Sequence, residues 1–235
     1  MSSRPPLDQQ AWGAPGGPTA RPVGSVDTRA IFGQTMFLVA ITACFAAAGA
    51  YIARDATGGV ALLAWFGAFG IMIGMNVARK AQNGSLGMGL LFGFGLLLGV
   101  AIGPTIANYA KQPNGATIIW QAVLLTGLFI ACFGTVGYAT KRDLGPLVRV
   151  AMFGLLGLLI AAIVGMLFFS SAFSGVYTFW LFAVLAAFTV FTMYDFQRMH
   201  RAGENDVVML AMSIFLDVFN VFLIILQLLG GGGRR

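Results

Sequence analysis

The sequence predicts an all-α membrane protein, a bundle of seven transmembrane helices. Three observations carry that expectation. Of 235 residues, 58% are hydrophobic and 9% charged, whereas soluble domains carry about 25% charged residues. Mean hydropathy is +0.86. The charges stand as punctuation between long neutral runs, too long and too uniformly apolar for barrel strands, which alternate over about ten residues. Inside lipid only helices and closed barrels satisfy the backbone.

Residues 1–29 are rich in Pro, Gly, Ala and polar side chains and include Trp12. They show no apolar core of the kind a cleaved signal peptide carries, and they read as a flexible cytoplasmic tail. The spanning domain covers 30–230, and 231–235 form a short C-terminal tail. Charge-free runs at 30–53, 56–78, 81–110 and 112–140 each supply one helix, since about 20 apolar residues span a bilayer. The run 150–194 is neutral throughout, with Ser170, Ser171, Ser174 and Gly175 near its middle. It reads as two helices joined by a tight turn. The last segment, about 207–229, carries a single acid. The expected spans are 31–53, 58–79, 85–107, 115–138, 147–170, 175–197 and 206–229.

Seven helices place Arg4, Arg21, Arg29, Arg79, Lys80, Lys141, Arg142, Arg149, Arg198 and Arg201 on one side. Only Arg54, Lys111, Arg234 and Arg235 fall on the other. Cytoplasmic loops accumulate Lys and Arg, which puts the N-terminus inside and the C-terminus outside. The net charge of +6 is thereby a topology signal. No basic face interleaved with aromatics points to nucleic acid.

Glycine pairs spaced by four (Gly70 and Gly74; Gly89 and Gly93; Gly95, Gly99 and Gly103) suit close helix packing in lipid. Pro104 should kink or end the third helix. Cys44 and Cys132 read as small buried side chains. Asn108 and Tyr109 read as interfacial, and His200 as a solvated loop residue.

Only two acids, Asp195 and Asp217, fall within expected helices. Burying an ionisable residue in a bilayer costs at least about 2.5–3.5 kcal/mol, and such residues mark ion paths, proton relays or structural pairs. Asp217 lies near mid-membrane, and Ser213, Asn220 and Gln227 share with it a sector of about 80° at 100° per residue. This polar stripe either lines a pathway or supplies interhelical hydrogen bonds. Asp195 either pairs with Arg198 three residues on or meets Asp217 across two antiparallel helices. Together the two carboxylates could share a proton and respond to pH, or offer oxygens to Ca²⁺. Their depths, about 5 Å and 16 Å inside the membrane edge at 1.5 Å per residue, do not match unless the connection 198–206 folds inward. Arg79 and Lys80, ending the second helix, either anchor that end or reach the aspartates. One His and two isolated Cys build no catalytic set and no zinc site. An enzyme is therefore not expected, and no cofactor is.

Tyr194-Asp195-Phe196-Gln197 resembles the Tyr-Asp-x-Gln motif of the Bax inhibitor-1 family. The run 211–222 is similar to that family's last helix, with Leu216-Asp217 followed three residues later by Asn220. The segment 138–144 resembles its loop after the fourth helix. The resemblance implies a seven-helix bundle with the last helix at its centre. It implies that Asp195 and Asp217 are the paired aspartates of a pH-sensitive latch near the cytoplasmic mouth, with a basic residue of the second helix as partner; Arg79 is the nearest candidate. It also implies a Ca²⁺ leak across a membrane. The short loops and the composition suggest that this membrane is a bacterial inner membrane. Two other readings stay open: a non-conducting regulator that binds other membrane proteins, such as a protease, and a proton-coupled carrier.

Overall fold

A computed structural model of the chain describes residues 28–80, 84–168 and 170–231. The expected tail, 1–29, lies outside the described residues up to 27, as do 232–235 of the C-terminal tail. Every regular element described is helical: α1 Thr28–Ile52, α2 Gly58–Lys80, α3 Gly84–Ala110, α4 Gly115–Ala139, α5 Gly145–Phe168, α6 Ser170–Arg198 and α7 Val207–Gly231. Two short 3₁₀ turns, Met199–Arg201 and Glu204–Asp206, join α6 to α7. All seven helices are long and apolar enough to cross a membrane.

The outer surface is made of large apolar side chains, among them Phe37, Leu63, Phe66, Phe153 and Phe179. That surface is stable against lipid and not against water. α7 occupies the centre and packs on α1, α3, α4 and α6. Its buried residues include Leu210, Phe215, Val221 and Leu226.

Small residues decide how closely the helices approach. A Cβ on Gly99 would fall on the Ala46 carbonyl of α1, and one on Gly103 would come within 2.8 Å of the Ala50 carbonyl. Gly137 of α4 lies equally tight against Met193 of α6. The other expected glycine pairs do not act this way. Gly70 and Gly89 face open space, and Gly74 and Gly93 would meet only side-chain tips at 3.9 and 3.5 Å.

Two further expectations need correction, and for Pro104 one of two alternatives falls away. α5 is described to Phe168 and α6 from Ser170, so Ser171, Ser174 and Gly175 lie inside α6 and not in a turn; small polar residues are tolerated in a membrane helix because they need not interrupt its backbone bonds. Pro104 does not end α3, which runs on to Ala110. Cys44 and Cys132 are exposed, because both sit on the lipid-facing sides of α1 and α4.

Candidate functional site

The two intramembrane acids both lie on the seam between α6 and α7, within electrostatic reach of each other. Asp195 lies one turn from the end of α6 and is 5% exposed; Asp217 lies mid-way along α7 and is 4% exposed. The gap in expected depth closes because the chain does not leave the membrane edge at Arg198. The 3₁₀ turn Met199–Arg201 continues the descent by roughly 2 Å per residue, and Met199 is wholly buried beneath it. α7 then starts close by, and its first two turns draw level with Asp195.

Asp195 is held from two sides. Ser213 of α7 donates its hydroxyl to Asp195 Oδ2, and Arg198 Nη1 donates to Oδ1 at 3.3 Å. Arg198 is half exposed and also lies over the Tyr194 ring at 5.7 Å. The pair thus joins a buried carboxylate to the solvent edge. Asp217 is placed differently. Thr192 and Asp195, one turn apart on α6, both face it. Yet Asp217 Oδ2 and Thr192 Oγ1 are buried with no hydrogen-bond partner among the described residues. Buried polar atoms are almost always paired, so this corner carries an unsatisfied acceptor beside an unsatisfied hydroxyl.

The remaining stripe residues diverge. Asn220 Nδ2 donates to the Leu216 carbonyl of its own helix at 2.8 Å. Gln227 accepts from the Tyr177 hydroxyl, forming a second polar contact on the α6–α7 seam, three turns from Asp217. Arg79 does not reach the aspartate pair. Its Nη2 donates to Asp206 Oδ1 at 2.6 Å, because the 3₁₀ turn preceding α7 brings that acid over the end of α2. The base at the pair is Arg198.

Sequence reasoning passed over three participants. Thr192 precedes Asp195 by three residues, and that spacing alone puts both on one helix face. Asp206 had the look of a solvated loop acid. Gln197 belonged to a recognised motif without an assigned task. Its Nε2 donates to the Thr140 and Arg142 carbonyls at 3.0 and 2.6 Å, and its Oε1 accepts from the Leu144 amide at 3.2 Å. It thereby fastens the α4–α5 loop to α6. His200 is exposed, as expected, but its Nε2 lies 2.8 Å from the Tyr138 carbonyl and its ring 4.1 Å from the Tyr138 ring. A small polar cavity of about 250 Å³, lined by Arg79, Asp143, Tyr194, Gln197, Arg198 and Asp206, opens above this end.

A family model described as inhibitor of apoptosis-promoting Bax1 matches residues 28–234. The chain belongs to the Bax inhibitor-1 family. Three bacterial proteins of similar length are among its relatives. An uncharacterised membrane protein of Vibrio cholerae is 29% identical over 208 residues, covering 88% of this chain and 91% of its own. A Pseudomonas aeruginosa protein is 26% identical over 85% of this chain and 88% of its own. The Escherichia coli modulator of FtsH protease YccA is 23% identical over 89% of this chain and 93% of its own. The central position of α7, implied by the resemblance, is what the bundle has.

As a metal centre the site is thin. Ca²⁺ takes about six to eight oxygens, and no group of three His, Cys, Asp or Glu gathers among the described residues.

Proposed function

We propose that this Bax inhibitor-1 family member is a pH-sensitive calcium leak, with Asp195 and Asp217 as its gate, in a bacterial inner membrane with the N-terminus cytoplasmic. The observation that supports the reading is the buried, unpartnered Asp217 carboxylate oxygen beside the Arg198-held Asp195. With one proton on the pair, Asp217 donates toward α6 and the seam stays shut. When that proton leaves, two carboxylates face each other with Arg198 as the one cation at hand. Like charges held near each other in low dielectric repel strongly, so α7 shifts and the carboxylates face a cation path. Opening therefore accompanies deprotonation, and leak rises with pH.

Full-length protein in liposomes should admit Ca²⁺ faster at about pH 8 than at about pH 6, the direction expected when a carboxylate pair loses a shared proton. Asp217→Asn should make the flux independent of pH, and Asp195→Asn should do the same. Folded protein that passes no more Ca²⁺ than empty liposomes would remove the leak from consideration.

One observation favours a second reading. The E. coli relative's name assigns it to modulation of the FtsH protease. A non-conducting regulator would keep the aspartates as packing glue and bind its partner elsewhere. Co-purification with such a protease that is lost on deleting residues 1–27 and unaffected by Asp217→Asn would support it.

A further inference from the structure

A cavity of about 1050 Å³ lies between α1 and α4, in the half of the bundle away from His200. α1 packs on α3 and α7, and α4 packs on α3, α6 and α7, so α1 and α4 have no packed seam of their own. Ala43, Ala46, Ala47 and Ala50 make the α1 wall, Val123 and Gly127 belong to the α4 wall, and Phe219 and Phe222 of α7 form the floor. In water such an apolar hollow could stay dry. In a bilayer it faces acyl chains.

Two features point to a particular occupant. The first is length. From Ala43 to Arg54 the crevice extends about 16 Å at 1.5 Å per residue, close to half of the roughly 30 Å hydrocarbon core. It is one leaflet deep. The second is charge. Its mouth carries Arg54, Lys111 and Asp55, with Arg54 Nε bonded to Asp55 Oδ2 at 3.2 Å and Lys111 at the start of the α3–α4 loop. The rim is net positive at the depth where a lipid phosphate sits. At the other end of the same gap a second cavity of about 550 Å³, lined by Phe32, Ile130, Gly134, Tyr138 and Phe196, shares Gly127 with the first. The cationic rim, which a phosphate matches and an apolar helix does not, is what favours a lipid over a second copy.

We propose that the α1–α4 crevice is a binding site for one anionic phospholipid, its acyl chain along the alanine wall of α1 and its phosphate at Lys111 and Arg54. The proposal is independent of the aspartate gate. The crevice floor is nevertheless the face of α7 that includes Val218, next to Asp217, so a bound lipid would press on the helix that carries the gate.

Native mass spectrometry of the full-length protein tests this with phosphatidylglycerol and phosphatidylcholine as probes. The wild type should retain phosphatidylglycerol through delipidation more strongly than phosphatidylcholine. Arg54→Gln with Lys111→Gln should weaken phosphatidylglycerol retention by about five-fold per cation removed and leave phosphatidylcholine unchanged. Gly127→Leu should weaken both, since a Cβ there meets nothing within 4 Å and the side chain fills the crevice without a clash. Circular dichroism and monodisperse elution check each variant; if the double variant aggregates, Lys111→Gln alone carries the charge test. Equal retention of the two lipids by the wild type, or retention untouched by both variants, overturns the proposal. A dimer that Gly127→Leu dissociates, with no lipid bound, overturns it in favour of a second copy.

Discussion

α5 and α7 are almost equally apolar, yet one lies on the outside of the bundle and the other in its middle. More than half of α7's spanning window is buried, and none of α5's is. In water the more hydrophobic helix goes inside. In lipid, tails are as apolar as leucine and burial follows packing and hydrogen bonds instead. α7 carries Ser213, Asp217, Asn220 and Gln227, of which Ser213 and Gln227 bond to α6. α5 offers no such side chain within its apolar run, so lipid is as good a neighbour as protein.

Five substitutions test that contrast, beginning with the largest. Phe215→Ala opens a void at a residue 2% exposed and should lower stability by about 3 kcal/mol or more. Phe153→Ala on α5, 68% exposed, should stay within about 0.5 kcal/mol of wild type. Thermal unfolding in one detergent measures both, and equal losses would break the comparison. Ser213→Ala removes the hydroxyl that ties α7 to Asp195 and should cost about 0.6–1.7 kcal/mol, the range for hydrogen bonds between membrane helices. Its unfolding midpoint should lie between those of the two phenylalanine variants. One small effect is a gain. Gly157 of α5 faces open space, so Gly157→Ala should raise stability by up to about 1 kcal/mol through helix propensity. Gly99→Ala, at the α1–α3 contact, should lower it, because the added methyl collides with the Ala46 carbonyl.

The sequence made the helix count plain, because charges cut the chain into spans of membrane length. It made the meeting of Asp195 and Asp217 a question, because depth counted from straight helices ignores the buried 3₁₀ turn at Met199–Arg201. The outward facing of Cys44 and Cys132 could not be read, since a helix apolar on every side has no pattern that separates lipid from core. Arg79 went to Asp206 for the same reason that the depths had to be corrected: the α6–α7 connection folds over the bundle instead of looping away from it.

Gln197 has a mechanical consequence. One side-chain amide grips three backbone groups of the loop that leads into α5, and the chief packing partner of α5 is α6. The two helices therefore form a single stiff leaf with α6 as its spine and α5 as its blade. Any rotation of α6 about its axis must sweep α5 sideways through the acyl chains. The viscosity and lateral pressure of the bilayer thus act with leverage on the helix that holds Asp195.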